Sequence, residues 1–388
     1  MANDNSVLLV STATRWYGTA RVPRALAKAG FDVTLLTPRN SLAEHSRHVS
    51  RVAYLPESAT SLQWIHAFAG VVKAVAPVQA IPCDDTAFRL MAALALSPPA
   101  RLRTDLHAEL AQLVRESLGD PAHYRESVDK TLLPAAAERA GVRVPACAVV
   151  TTIEEAEGFA DIRGYPVVVK RAHSSAGDGV RIVADRAALA PAMAALAAPN
   201  PADLEPDASG RVLIQQFIEG RVRYQNVAAW KGSMLAGYAG DRLQALGDAT
   251  TPATVIRQCD SPELREFSRR LVEALGMSGL FGSEYMVEEG TGTPYLIGIN
   301  RRITPATHYG AVLGVDLCAA LRAAMRGEPM PTRAGLDPGE ERIQVTFPGE
   351  WLRDPASPWL RKHPVDVPWD DPGLLDAMLA MRKEAWRA

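Results

Sequence analysis

The chain has 388 residues and a net charge of −2, with 42 lysines and arginines against 44 aspartates and glutamates. That balance gives no footing for broad nucleic-acid binding, and the length suffices for two or three domains with sizeable cores. No apolar run reaches membrane-spanning length, MANDNSVLLV lacks the flank and length of a signal peptide, and the cysteines (Cys83, Cys147, Cys259, Cys318) have no metal-type spacing, so a soluble, cytoplasmic protein with scattered thiols is expected, with no membrane and no nucleic-acid partner.

In chain order, Val7 to Val10 reads as a buried strand, followed by a helix with Val22, Leu26 and Ala29 on one face and Gly30 as its stop. Strands are expected at Val33–Leu36, Val52–Leu55 and Val78–Ile81, with a helix over Leu62–Val75. Strands alternating with helices predict a mostly parallel α/β unit. The loop Ser11–Thr19 contains no G-x-G-x-x-G, which disfavours a nicotinamide-dependent enzyme, and no P-loop motif occurs anywhere. Leu102–Leu118 reads as a helix. A new unit starts near Pro121, with a helix from Ser127 through Lys130 to Ala140 that Pro134 should kink.

Ala146–Val150 is expected as a strand and Ile153–Phe159 as a short helix. Val167–Val169, ending in Lys170, and a second apolar run from Val180 flank a polar loop containing Ser174, Ser175, Gly177 and Gly179. This is the pattern of a β-hairpin with a flexible tip. A lysine closing a buried strand needs an anion, and backbone N–H groups of such a loop suit phosphate; an ordinary surface hairpin is the competing reading. Further on, helix Ala187–Ala198, strand Val212–Phe217, strands near Asn226–Trp230 and Met234–Tyr238, and a helix capped by Asp260 with Leu264, Phe267, Leu271 and Leu275 on one face are predicted. Gly282–Val287 and Tyr295–Ile299 read as a strand pair. Beyond Pro329 the chain is proline-rich, with a strand at Arg342–Phe347, a terminal helix at Pro372–Arg387, and Trp351, Trp359 and Trp369 expected to be buried against the body.

Taken in order, Asp129-Lys130, Ala140-Gly141-Val142, Lys170 with the glycine-rich tip, Leu213-Ile214-Gln215-Gln216-Phe217-Ile218-Glu219-Gly220, Phe281-Gly282-Ser283-Glu284-Tyr285, and Asn300 with Arg302 resemble the ATP-grasp superfamily over roughly residues 120–325. The resemblance implies an α/β and α+β chain: a Rossmann-like pre-ATP-grasp domain (1–119), a two-lobed ATP-grasp domain (120–328, lid lobe about 146–220) and a C-terminal extension (329–388). It implies ATP and Mg²⁺ as cofactors. Lys130, Lys170, Ser174, Ser175, Gly177 and Gly179 would hold phosphate. Gln215, Phe217, Ile218 and Glu219 would hold the nucleoside, and Glu284 and Asn300 the metal. Arg257 and Arg302 would serve transfer of the phosphoryl group, and Arg15, Trp16, Tyr17, Thr304 and His308 the substrate. The implied partners are a small-molecule carboxylate and an amine, and the resemblance leaves room for a homodimer.

Singly, each residue has an ordinary structural reading: a solvated lysine, a polar strand residue, a surface ion pair at Arg257, ordinary polar roles for His173 and His308. The chain also departs from the family pattern. Gly298 stands where a glutamate bridging two metals is expected, Val222 where a ribose-binding glutamate is expected with Glu219 as a substitute, and Arg301 adds charge beside Arg302. The expected activity is an ATP-dependent, ADP-forming carboxylate–amine ligase. The alternative is a degenerate relative that binds ATP or a metabolite without turnover.

Overall fold

The first strand, β1 (Ser6–Val10), is buried along its whole length, which explains its continuous apolar run: a central parallel strand is covered on both faces. It lies in a parallel sheet of order β3-β2-β1-β4 with β2 (Asp32–Thr37), β3 (Arg51–Tyr54) and β4 (Gln79–Pro82). Its alternate side chains feed two cores. Val7 and Leu9 pack with Val22 and Leu26 of α1 (Tyr17–Lys28). Leu8 and Val10 pack with Trp64 and Phe68 of α2 (Ser61–Val75), Phe88 and Met91 of α3 (Asp85–Leu96), and Leu110 and Val114 of α4 (Thr104–Leu118). Helix α3 was not anticipated from the sequence; its start is marked by Asp84 Oδ1, which accepts the Ala87 amide at 2.8 Å. The computed structural model describes residues 5–96, 104–174, 177–197, 210–247, 250–332 and 340–381.

Helix α5 spans only Leu133–Arg139. Pro134 lies in its first turn, where a missing N–H costs nothing, so it opens the helix rather than kinking it. Lys130 sits in the preceding turn, outside the helix expected to carry it. A small antiparallel lobe follows: β5 (Cys147–Val150), α6 (Ile153–Arg163), β6 (Val167–Arg171), β7 (Val180–Val183), α7 (Arg186–Ala197) and β8 (Val212–Gln216), with sheet order β5-β8-β6-β7. A Thr152/Glu155 capping box starts α6.

The large sheet is six-stranded and antiparallel, order β13-β12-β9-β10-β11-β14, built from β9 (Gly220–Trp230), β10 (Ser233–Ala245), β11 (Ala253–Cys259), β12 (Gly279–Glu288), β13 (Pro294–Asn300) and β14 (Ile343–Val345). Helix α8 (Pro262–Ala274) packs Leu264, Phe267 and Leu271 against it, with Leu275 just beyond its end. Its N-cap is Ser261; Asp260 instead pairs with Arg265. Strands β9 and β10 run 11 and 13 residues, well beyond the expected pair. Their extra length carries Tyr224, Arg242 and other polar residues that face a cavity, so the apolar signal stops before the strands do. Strand β11 and helix α9 (Leu317–Arg326) escaped the sequence reading altogether.

The C-terminal residues are woven into both neighbours. β14 adds to the edge of the large sheet beside β11, and α10 (Gly349–Arg353) and α11 (Trp359–Lys362) follow. α12 (Pro372–Leu379) places Leu374 and Met378 in the core shared with α1. Trp351 and Trp359 are partly buried, but Trp369 is 77% exposed, contrary to the expected burial. The predicted helix to Arg387 is described only as far as Leu379, and 382–388 lie outside the described residues. The tail is pinned by Glu350, fully buried, whose carboxylate accepts from Thr254 Oγ1 (2.6 Å), Arg353 Nε (2.8 Å) and the Ser357 hydroxyl. Glu350→Ala leaves these donors without their acceptor and should cost about 2–3 kcal/mol, read as a lower urea midpoint with an unchanged slope.

Candidate functional site

A cavity of 690 Å³ lies where the three sheets meet, within the size range of small-molecule sites. Its floor is one face of the large sheet. Because strand side chains alternate, Val222, Tyr224 and Asn226 of β9 point into it together with Arg242 of β10 and Glu284 and Met286 of β12. The roof is the β6–β7 hairpin, and the end wall comes from the loops after β1 and β4. The hairpin tip rests against the opposite loop: a Cβ on Gly177, whose φ is +84°, would collide with Thr250.

Two ammonium groups lie inside. Lys170, 6% exposed, donates to the Ile297 carbonyl at 3.0 Å, and the partly buried Lys130 donates to the Ser174 carbonyl at 2.7 Å. Among the described residues neither ammonium is within ion-pair distance of a carboxylate. Burial pushes both amines down, Lys170 to about 8, assisted by the Lys130 charge and opposed by Glu284. The buried Ser174 hydroxyl beside them has no hydrogen-bond partner among the described residues. Such a set of donors and positive charge suits an anion. Towards the hinge the cavity turns apolar: Val168, Val180 and Ile182 above, Val222 and Met286 below, with Ile218 at the side. The β8 ladder ends at Gln216, so the peptide groups of Phe217 and Ile218 lie beyond the sheet pairing.

Opposite the lysines, Asn300 Nδ2 donates to Glu284 Oε1 at 2.9 Å, Arg302 Nη2 donates to Asn300 Oδ1 at 3.2 Å, and Arg302 Nε donates to Asp85 Oδ2 at 3.1 Å. The Arg302 guanidinium also stacks on Trp16, 5.5 Å from the ring centroid. Gly298 faces Glu284 across the β12–β13 pair, and a Cβ there would meet nothing within 4 Å. Among the described residues no group of three or more His, Cys, Asp or Glu is placed to hold a metal ion. Glu284 and Asn300 are hard oxygen donors, a set that fits one Mg²⁺ completed by phosphate and water rather than a protein-only cage.

The cavity thus collects Lys130, Lys170, Ser174, Gly177, Gln215, Phe217, Ile218, Glu284, Asn300, Arg302, Trp16 and Thr304. Ser175 lies outside the described residues. Gly179 is not on the cavity wall; it is packed so tightly against Ser174 that a side chain would clash. Glu219 is exposed and outside the lining, whereas Val222 is on the cavity wall. Arg257 lies off the cavity, with Asp241 at 3.4 Å and Glu341 at 3.2 Å; its β10 neighbour Arg242 lines the cavity instead, since adjacent strand positions face opposite sides. Arg301 also turns away: buried, it donates to the Leu118 carbonyl at 2.6 Å and lies over Phe88 and Phe281. Arg15 is exposed and off the wall, and Tyr17 is buried in the core of α1. His308 is part-buried and off the cavity wall, its Nε2 2.8 Å from Asp366 Oδ2, while Arg21 binds the same carboxylate. Residues missed in the sequence are Tyr224, Arg242 and above all Asp85. The last had a readable signal, a tandem acid directly after a buried strand.

The profile of the family described as "Carbamoyl-phosphate synthase L chain, ATP binding domain" matches residues 129–331. The chain is 26% identical over 230 residues to the arginine-specific, mitochondrial carbamoyl phosphate synthase large chain of Neurospora crassa, which covers 56% of this chain but only 19% of that protein. Its fold superposes on the biotin carboxylase of Campylobacter jejuni, solved as a β,γ-ATP complex, with a TM-score of 0.65 at 16% identity, covering 87% of this chain and 74% of that one. It superposes likewise on the L-amino acid ligase of Bacillus licheniformis, with a TM-score of 0.58 at 16% identity, covering 87% and 78%. With the match spanning more than half of its length and both flanking layers in place, the chain belongs to the carbamoyl-phosphate synthase large-chain ATP-binding domain family, an ATP-grasp fold.

Proposed function

We propose that the chain binds ATP with Mg²⁺ in this cavity and uses it as an ADP-forming ligase, activating a small carboxylate as an acyl phosphate that an amine then attacks. The observation that carries this reading is the pair of ammonium groups whose hydrogen bonds among the described residues go to carbonyls, an arrangement that a polyanion would complete. Lys130, Lys170 and the Ser174 hydroxyl would grip phosphate oxygens, the apolar slot would take the base, and Gln215 with the peptide groups beyond it would read its edge. Mg²⁺ held by Glu284 and Asn300 would supply charge neutralisation at the phosphates. Arg302, fixed by Asp85 and Asn300, would steady charge as the phosphoryl group moves. The contact of the hairpin tip with the Thr250 loop would keep water out. The four cysteines are free thiols, in keeping with a cytoplasmic setting. A binder without turnover is the alternative that Gly298 invites. ADP release in the presence of pools of amino acids and small carboxylates separates the two: bound ATP with no ADP from any pool would favour the binder.

Lys170 yields a two-sided test. Its folded value of about 8 lies below the ordinary 10.5. The unfolded chain therefore binds more protons between those values, and stability rises with pH there. At pH 7 the buried charge costs on the order of 3 kcal/mol. Lys170→Met should therefore raise the melting temperature of the nucleotide-free protein at pH 7, a gain that shrinks as pH climbs from about 8. The same variant should lose stabilisation by ATP. In the unaltered protein, ATP affinity should fall as pH rises through about 8, and calorimetric titration across that range checks it.

The open space at Gly298 gives a further prediction. Gly298→Glu, at a position where a Cβ meets nothing within 4 Å, should bring a second carboxylate to Glu284 and lower, by roughly tenfold, the Mg²⁺ concentration needed for half-maximal ADP release. ADP release seen only in that variant would mean that the natural site binds without turning over.

A further inference from the structure

Asp84 and Asp85 follow β4 in tandem and do different work. Asp84 is consumed by the scaffold. Its carboxylate accepts the Thr12 amide at 2.6 Å, the Thr12 hydroxyl at 2.7 Å, the Ser11 hydroxyl at 3.1 Å and the Ala87 amide at 2.8 Å, fixing the loop after β1 and starting α3. Asp85 faces the cavity. One oxygen accepts from Arg302 Nε at 3.1 Å; the other has no partner among the described residues, and the side chain stays 30% exposed. Asp85 and Lys130 line the same cavity, and the Asp85 carboxylate opposes the downward push of burial on that ammonium. Trp16 covers the far side of Arg302, and its buried indole N–H has no partner among the described residues.

We propose that Asp85 receives the nucleophile: the acceptor is an amine that enters as an ammonium ion, seated and deprotonated by the free oxygen of Asp85. This rests on the ligase reading above. A carboxylate or phosphate acceptor would be repelled at that position, whereas an ammonium ion neutralises the one carboxylate oxygen that Arg302 leaves open. The ammonium gives one proton to Asp85. The freed lone pair forms the C–N bond at the acyl phosphate carbonyl, the C–O bond to phosphate breaks, and phosphate leaves with that electron pair. The second proton departs with the phosphate, and Asp85 returns its own to solvent.

Hydroxylamine separates this step from activation, because it is largely neutral at pH 7 and needs no base. Hydroxamate formed by the full chain from ATP and a pool of proteinogenic amino acids and small dicarboxylates reports acyl phosphate alone. ADP release with the same pool, without hydroxylamine, reports the whole reaction. Asp85→Asn keeps the shape and still accepts from Arg302. It should bind ATP and form hydroxamate as the unaltered chain does, while amine-dependent ADP release falls on the order of 100-fold. The residual rate should climb with pH as free amine accumulates, against a background set by Lys130, Arg302 and Arg89. Asp85→Ser, which also gives up the bond to Arg302, serves if Asp85→Asn fails to fold: its amine-dependent ADP release should fall much further than its hydroxamate formation. Hydroxamate lost in parallel, a raised Mg²⁺ requirement, or unchanged amine-dependent release would each overturn the assignment. An unaltered chain that binds ATP but makes no hydroxamate would instead sink the ligase reading itself, and the role of Asp85 with it.

Discussion

The contact on which the site depends is the one between the Lys170 ammonium and the Ile297 carbonyl. A lysine at the end of β6 crosses from the small lobe to the large sheet and spends its charge on a neutral acceptor. An isolated buried ammonium is expensive, and a carbonyl dipole offsets only part of that cost. The fold therefore carries an unfavourable charge, shared with Lys130, that a polyanion would relieve. The same contact ties the roof to the floor of the cavity.

Facing the lysines, the polar chain Asp85–Arg302–Asn300–Glu284 runs from the first sheet into the last strands of the large one. It orients Asn300 by both ends of its amide, the nitrogen towards Glu284 and the oxygen towards Arg302. A carboxylate at position 298 would have stood beside Glu284. Without it the wall sets Arg302 and Arg242 against Asp85 and Glu284, and a single Mg²⁺ would have to share the phosphates with the arginines. The site is thus strong in fixed side-chain cations and sparse in metal ligands.

Much of the architecture was readable in one dimension. The buried strands β1, β2 and β4, the lid hairpin and the amphipathic face of α8 each announce themselves by period and by glycine or proline punctuation. Where the reading failed, burial was the reason. Strands β9 and β10 continue as polar segments because one face lines a cavity. Strand β11 mixes Thr254, Arg257 and Gln258 with apolar residues because each face meets different surroundings. Pro134 looked like a breaker and proved to be a first-turn residue, a distinction that depends only on where the helix begins.

The sequence by itself determined the residue types that can grip phosphate and metal, and their order along the chain, since lysine, glycine-rich tip, hinge, glutamate and asparagine are local features with local signatures. Only the tertiary structure decided which arginine faces the cavity. Arg242 and Arg257 sit on paired strands, yet the alternation of β-strand side chains sends one inward and the other to Asp241. It likewise sent His308 to Asp366 and Tyr17 into the core, and brought Asp85 to Arg302 across 217 positions of sequence. Orientation and long-range proximity are set by packing and register, which no local run of residues encodes.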